Sequence, residues 1–168
     1  MNACFPLIQM DLPCSDVDAL TVPMDQILRD IKLVCGEIFE DPEGCQKLRP
    51  RSWKEPHLLK YLSSGETQHT GIEMHYDGCD ITMSLMLTDS HEYDGGGTYI
   101  RALQKTIMLK KGQVLVHPGE LYHKGVSITR GMRLLAICFM DGFNPQIYDP
   151  STNEKDRPEV FEKNLVIT

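Results

Sequence analysis

The feature that most constrains the fold is a series of short apolar stretches, separated by turn residues, that begins at Glu73. Short strands divided in this way are typical of β-sandwiches and β-barrels. The longest stretch, Met132 to Met140, is apolar on both faces, which predicts a central strand that is covered on both sides. The stretch from Ile81 to Thr88 alternates instead. We expect its odd-numbered residues to face the core and its even-numbered residues, beginning with Thr82, to line a pocket for a polar ligand.

The residues before this series predict a supporting helix. Apolar side chains recur at helical spacing from Ile27 to Ile38, and Pro23 suits a first helical turn. The helix is expected to end before Pro42, because a proline disfavours a helical residue before it. Residues 42–56 are predicted to form a loop and His57 to Leu62 a short strand. The fold class is therefore mainly β, with an N-terminal helix.

A chain of 168 residues is long enough for one domain with a real core. We expect a single domain over residues 1–168, a β core at 57–141 and a polar, turn-rich tail at 142–168. Oligomeric state cannot be predicted from these patterns.

The net charge of −7 argues against partners that need a basic face, so we expect neither a nucleic-acid partner nor an anionic membrane surface. The first residues lack the basic and apolar regions of a signal peptide, and no stretch reaches the length of a membrane-spanning helix. We therefore expect a cytoplasmic protein, unless the chain is part of a longer secreted protein. The six cysteines form no CxxC pair, which favours reduced thiols.

Two histidines and one carboxylate indicate a metal site. His75 and Asp77 are two residues apart, so in an extended segment both side chains project to the same side. Either His123 or His117 can supply the second imidazole. Two His ligands and one carboxylate on one face of a metal leave the opposite positions open, which suits non-haem Fe(II) and oxygen chemistry.

Arg133 is a candidate for binding a ligand, apart from the candidate metal ligands. It shares a face of its predicted strand with Leu135, Ile137 and Phe139, so we expect it to point inward. A buried guanidinium group is costly without an anionic partner, which is either an internal carboxylate or the distal carboxylate of a bound organic acid. The hydroxyls of Thr82 and Tyr61 are candidates for binding the same acid.

A run of three glycines, Gly95 to Gly97, lacks the Lys-Ser/Thr that would make it a phosphate-binding loop. It is predicted to form a hairpin or a β-bulge that opens the strand at Thr98.

Taken in order, these motifs resemble the 2-oxoglutarate- and Fe(II)-dependent dioxygenase superfamily, in its prolyl/lysyl hydroxylase branch. The similarity covers roughly residues 57–141. It rests on the HxD motif at 75–77, the Gly-Gly-Gly-strand segment at 93–100, and an H-x-G…G-x-R pattern that ends at Arg133. The segment Lys111 to His123 is most similar to procollagen lysyl hydroxylases, in which a strand runs into His-Pro-Gly and then into the third ligand.

The resemblance implies a double-stranded β-helix, also called a jelly roll, and a hydroxylase. Fe(II) would be held by His75, Asp77 and His123, and 2-oxoglutarate by Arg133 with Thr82 and Tyr61. O₂ would be consumed and succinate and CO₂ released, with ascorbate as a conceivable accessory reductant. The substrate would be a prolyl or lysyl side chain of a peptide or protein. Two alternatives stay open at this point: a metal-binding jelly roll without turnover, and an oxygenase of the same superfamily that acts on a small molecule.

Overall fold

The computed structural model describes residues 18–38, 41–52, 55–64, 69–143 and 166–167. Within this part of the chain, helix α1 spans Asp18–Ile38 and helix α2 spans Pro42–Cys45. The strands are β1 (Arg49–Pro50), β2 (His57–Leu62), β3 (Ile72–His75), β4 (Ile81–Met86), β5 (Tyr93–Gly95), β6 (Thr98–Ile100), β7 (Lys105–Ile107), β8 (Val114–Pro118), β9 (His123–Gly125), β10 (Ile128–Asp141) and β11 (Val166–Ile167). Most of the predicted tail lies outside the described residues, so the single-domain organisation stays a prediction.

Strand β10 is the centre of the larger of two sheets. It pairs antiparallel with β1, β2, β4 and β5. Beyond β4 the sheet continues through β8 to β11. The smaller sheet has the order β3-β9-β6-β7. Two antiparallel sheets with this topology form a jelly roll, and the predictions of a mainly β fold and of a central strand at Met132 to Met140 are confirmed.

Two apolar layers follow from the alternation of side chains along the strands. Odd-numbered residues of β10, such as Leu135 and Ile137, pack in the layer between the two sheets. Even-numbered residues, such as Ala136 and Cys138, pack in a second layer on the opposite face of the larger sheet. Helix α1 covers this second layer with Ile31 and the residues around it. The site described below opens from the layer between the sheets.

Two boundaries differ from the sequence-based expectation. Helix α1 begins at Asp18, so Pro23 lies inside the helix and not in its first turn. Residues 42–56, expected to be a loop, contain α2 and β1. The start of α2 has an ordinary helix signal: the Asp41 side chain accepts a hydrogen bond from the Gly44 amide at 2.8 Å, and Pro42 is at the first helical position. Among the described residues, neither helix combines the length and the apolar character that spanning a bilayer requires.

Four of the six cysteines lie in the described residues, as buried free thiols: Cys35, Cys45, Cys79 and Cys138. Burial raises the pKa of Cys35 to about 12 and that of Cys45 to about 11. Thiols with raised pKa values stay protonated near neutral pH and react slowly.

Candidate active site

The register of the smaller sheet brings two imidazoles together. His75 is the last residue of β3 and pairs directly with His123, the first residue of β9. Their ring centroids are 4.4 Å apart. Asp77 follows two residues after His75, and its carboxylate lies 3.4 Å from Nε2 of His75 and 3.6 Å from Nε2 of His123. One ligand atom from each of the three residues falls within 4.8 Å of the other two, which is a spacing that can hold a metal ion.

Hydrogen bonds orient each member of this group, which we call the metal triad. Nδ1 of His75 donates to the Glu73 carbonyl at 2.6 Å, and Nδ1 of His123 donates to the Leu121 carbonyl at 2.8 Å. Both Nε2 atoms are therefore left toward Asp77. The hydroxyl of Thr82 donates to Oδ2 of Asp77 at 2.5 Å. Such bonds fix the tautomer and the direction of ligand side chains.

The protonation states of the triad suit a cation. Burial raises the pKa of Asp77, but the hydrogen bond with His75 and the charges of His123 and His117 outweigh it and lower the pKa to about 2. Burial, with His117 close by, lowers the pKa of His123 to about 4. Burial also lowers the pKa of His75, but its hydrogen bond to Asp77 opposes this and the net direction is upward. Near neutral pH the triad thus has an ionised carboxylate and a neutral His123, as metal binding requires.

His117, the alternative ligand, lies behind the triad. It is buried on β8, its ring meets that of His123 edge-on at 4.6 Å, and Nδ1 donates to the Pro118 carbonyl at 2.8 Å. The cluster of candidate ligand atoms contains His75, Asp77 and His123 but not His117. This arrangement gives His117 a supporting position against His123.

Arg133 is buried to 1% exposure on β10 and has unused hydrogen-bonding capacity. Its Nη1 atom donates to the Gly97 carbonyl at 3.3 Å. Its Nε and Nη2 atoms are fully buried and have no hydrogen-bond partner, and no other side-chain nitrogen or oxygen of the described residues is in that position. Burial lowers the pKa of Arg133, and the phenols of Tyr61 and Tyr93 oppose that shift. A buried guanidinium with two unpaired nitrogens is the arrangement that a carboxylate ligand would complete.

Two glycine segments shape the surroundings of Arg133. Gly95, Gly96 and Gly97 all have positive φ angles and join β5 to β6, while the irregularity in the pairing of β5 with β10 lies in β10, between Ile128 and Arg130. A side chain at Gly96 would press on Cδ of Arg133 at 3.3 Å. On the opposite side, a side chain at Gly125 would collide with the Tyr61 hydroxyl. The contact of the three-glycine turn with Arg133 was not predicted from the sequence, in which the turn indicated only a hairpin or a β-bulge.

A cavity of about 420 Å³ adjoins the metal triad and reaches Tyr61, the neighbour of Arg133, although Arg133 itself is not in its described lining. Its volume lies within the range of ligand pockets, roughly 300–1,000 Å³. The metal triad, Tyr61 and Thr82 are in its wall. Leu135, Ile137 and Phe139 supply an apolar side from β10. The prediction that Thr82 faces a pocket is thus consistent with its position, although its hydroxyl is bonded to the triad.

One cavity residue was missed. His57, which the sequence patterns did not single out as a site residue, is 8% exposed and lines the cavity. Its strand, β2, alternates between buried and half-buried residues, so His57, Leu59 and Tyr61 share the inward face. The same period-two rule that placed Thr82 would have placed His57 inside.

Relatives of the chain carry hydroxylase names. It is 30% identical over 128 residues to a PKHD-type hydroxylase of Nitrosomonas europaea, covering 68% of this chain and 55% of that protein. A PKHD-type hydroxylase of Prochlorococcus marinus is 29% identical over 142 residues, covering 79% and 59%. The procollagen-lysine,2-oxoglutarate 5-dioxygenase of Drosophila melanogaster is 33% identical over 78 residues, covering 44% of this chain and 11% of that protein. The chain therefore spans about half the length of the PKHD-type relatives.

Other comparisons add little. No model of a known protein family matches the chain. Among solved structures, an oxidoreductase of the 2OG-Fe(II) oxygenase family from Burkholderia pseudomallei aligns with a TM-score of 0.49 and 18% identity, covering 64% of this chain and 53% of that one.

Proposed function

We propose a function on the premise that this chain belongs to the 2-oxoglutarate- and Fe(II)-dependent dioxygenase superfamily, in its prolyl/lysyl hydroxylase-like branch. The function is hydroxylation of a peptidyl prolyl or lysyl side chain, with 2-oxoglutarate and O₂ as co-substrates. The observation that carries it is the convergence of His75, Asp77 and His123 within 4.8 Å in the wall of one cavity.

The donor set of the triad fits Fe(II). Two imidazoles and one carboxylate are the ligands of non-haem iron oxygenases, and they leave coordination positions for other groups. In our proposal His75, Asp77 and His123 hold the metal through Nε2, a carboxylate oxygen and Nε2. Thr82 holds the carboxylate and His117 supports the ring of His123. When bound, Fe(II) supplies the O₂-dependent decarboxylation of 2-oxoglutarate to succinate and CO₂ that is coupled to hydroxylation of the substrate.

The co-substrate would be held at the buried arginine. The unpaired Nε and Nη2 atoms of Arg133 form two adjacent donors, which match the two oxygens of a carboxylate. Tyr61 lies beside this group, with the guanidinium carbon 5.2 Å from the centre of its ring. Burial raises the pKa of Tyr61 to about 12, so its hydroxyl keeps its proton and can donate to the same carboxylate. We assign Arg133 and Tyr61 to the distal carboxylate of 2-oxoglutarate.

Thr82 is placed differently from these two. It pairs with Phe139 on β10, whereas Tyr61 pairs with Arg133, so the two hydroxyls belong to different rows of the sheet. Its bond to Asp77 places its hydroxyl beside the metal triad. A contact between Thr82 and 2-oxoglutarate would have to compete with that bond.

The test is an anaerobic titration of the metal-free chain with Fe(II) and 2-oxoglutarate, followed by the visible charge-transfer band of the chelate. We expect the band in the wild-type protein and its loss in His123→Ala. Arg133→Ala should require about ten- to hundredfold more 2-oxoglutarate, because it removes charge-assisted hydrogen bonds worth about 1.5–3 kcal/mol. Arg130→Ala is the matched control, since Arg130 is exposed and bound to Asp94.

Each other outcome has a defined meaning. If iron binds without forming the band, the chain is a metal-binding jelly roll and the hydroxylase proposal fails. If His117→Ala abolishes the band and His123→Ala does not, the third ligand is His117. Where the band forms, succinate release with matched prolyl and lysyl peptides then identifies the side chain, and a response to neither peptide would favour a small-molecule substrate.

A further inference from the structure

A second polar group, apart from the metal triad, borders the cavity, and His57 is its member in the cavity wall. Nδ1 of His57 lies 3.0 Å from Oε2 of Glu55, and that oxygen also accepts the amide hydrogen of Phe139 at 3.4 Å. The side chains of His57 and Glu55 are 10% and 8% exposed. The His57 ring packs on Phe139 with a centroid distance of 5.2 Å. We call this group the Glu55–His57 pair.

Burying a carboxylate and an imidazole is not an efficient way to stabilise a fold. Removing a carboxylate and an imidazole from water costs free energy that their mutual attraction often fails to offset, and apolar residues of similar size are frequently as stable. The next inward position of β2 is Leu59, so this face of the strand accommodates apolar side chains. A buried polar pair in a cavity wall is more readily explained by a ligand.

The pair leaves one acceptor atom toward the cavity. In a neutral imidazole, a carboxylate beside Nδ1 favours the tautomer with its proton on Nδ1, and the lone pair is then on Nε2. Within the described residues, Nε2 of His57 has no hydrogen bond, whereas Nδ1 has one. Nε2 is also not among the fully buried atoms without a partner, which belong to Arg133, so it is at least partly accessible. Because His57 is in the cavity wall, we infer that Nε2 faces the cavity and accepts a hydrogen bond from what enters it.

The charges of the cavity favour the same kind of ligand. Histidines aside, the charged side chains in its described lining are Glu73 and Asp77, and it contains no Lys or Arg. Glu55 adds a further carboxylate behind His57. Leu59, Ile137 and the ring of Phe139 can pack against an aliphatic stem, and an aromatic face also attracts a cation.

We propose that the Glu55–His57 pair is a binding site for an ammonium or other N–H group carried on an aliphatic stem of the substrate. This proposal rests on the proposed function and deepens it, because a prolyl residue within a peptide has no N–H to donate. The pair positions the substrate and takes no part in the metal chemistry.

The test uses n-butylammonium chloride as the probe and the ring nitrogen signals of His57 as the readout. The full chain, with labelled histidine, is loaded with Zn(II) and 2-oxoglutarate so that the metal triad is occupied, and is then titrated by NMR. We expect a saturable shift of the His57 signals. Tetramethylammonium, which has the charge but no N–H, should bind about tenfold more weakly. Equal affinity for the two ions, or no shift with n-butylammonium, would overturn the proposal.

Variants locate the site. Glu55→Gln keeps the size of the side chain and its ability to bond His57 but removes the charge, so n-butylammonium should bind about tenfold more weakly. His91→Gln is the control, because His91 is exposed and absent from the cavity wall. Unchanged affinity in Glu55→Gln would contradict the assignment. If that variant does not fold, the comparison of the two ions on the wild-type chain decides.

The two proposals fail separately. Repeating the n-butylammonium titration on the metal-free chain tests binding at the Glu55–His57 pair. This result does not depend on whether the Fe(II) and 2-oxoglutarate band forms. If the band forms and n-butylammonium does not bind, the dioxygenase proposal stands and the ammonium site is wrong. If n-butylammonium binds as expected but no band forms, the site stands and its substrate belongs to a different reaction.

Discussion

At the scale of single residues, Arg133 and Asp77 differ in how far their polar atoms are satisfied. Asp77 is surrounded by His75, His123 and the Thr82 hydroxyl, whereas two nitrogens of Arg133 have no partner in the described part of the chain. An unsatisfied buried donor costs about 1–3 kcal/mol. Such a cost is tolerated where a ligand removes it, so the contrast between the two residues supports the proposal that Asp77 serves a metal and Arg133 an anionic ligand.

Replacing Thr82 tests whether this residue serves the metal or the co-substrate. Thr82→Val keeps the shape of the side chain and removes the hydroxyl that orients Asp77. We expect about a tenfold loss of Mn(II) affinity, measured by calorimetry, because bonds to metal ligands of this kind contribute about ten- to hundredfold. Thr82→Ser should retain most of the affinity. A variant with normal Mn(II) affinity but a raised requirement for 2-oxoglutarate would instead assign Thr82 to the co-substrate.

The triad also predicts how many protons leave on metal binding. At about pH 6, Asp77 is ionised and His123, with a pKa of about 4, is neutral, while His75, whose pKa is raised above 6.5, is still protonated. A metal must displace that proton, so affinity should rise with pH until the pH passes the pKa of His75. Calorimetry in two buffers of different ionisation enthalpy should give about one proton released. A value near two would mean that His123 is protonated as well.

At the scale of elements, the register between strands assembles the site. The pairing of β3 with β9 joins two histidines that are far apart in the chain, and the pairing of β2 with β10 places Tyr61 beside Arg133. The close approach of β9 to Tyr61 depends on Gly125, where a side chain would collide with the phenol.

Gly125→Ala should therefore displace Tyr61 without disturbing the triad directly. We expect a several-fold higher 2-oxoglutarate requirement and a free energy of unfolding lowered by about 1–3 kcal/mol, as is usual for overpacking. Mn(II) affinity should change little. Adding Tyr61→Phe removes the colliding hydroxyl and should recover part of the stability in a double-mutant cycle. If the two substitutions are simply additive, this contact is not the cause.

At the scale of the whole molecule, helix α1 stabilises the larger sheet at a distance from the site. Ile31 is 5% exposed and packs in the layer with β4, β8 and β10, whereas Leu33 of the same helix is 60% exposed. We therefore expect the helix to affect function through the stability of the sheet that supports the cavity.

Ile31→Ala should lower the free energy of unfolding by about 2–4 kcal/mol, because it leaves a void in a packed layer. Leu33→Ala, on the exposed side, should stay within about 0.5 kcal/mol. Urea unfolding followed by circular dichroism measures both. Neither variant should change Mn(II) affinity while folded, and a loss of affinity in folded Ile31→Ala would show that the helix also controls the geometry of the site.

Local patterns in the chain were enough to predict several features. Alternation predicted that Thr82 faces a pocket, and the two-residue spacing of His75 and Asp77 predicted that their side chains lie on the same side. The stretch from Met132 to Met140, apolar on both faces, predicted a central strand. These features depend on the period of a strand, which a short segment determines by itself.

Other features were decided by the tertiary structure. Nothing local distinguishes His123 from His117: the pairing of β3 with β9 places one beside His75, while β8 holds the other behind it. Likewise, the burial of His57 and the unpaired nitrogens of Arg133 result from the pairing of β2 with β10, which together form one wall of the cavity. Side-chain environments of this kind depend on which strands become neighbours, and that is determined by packing between segments distant in the chain and not by the residues of any one strand.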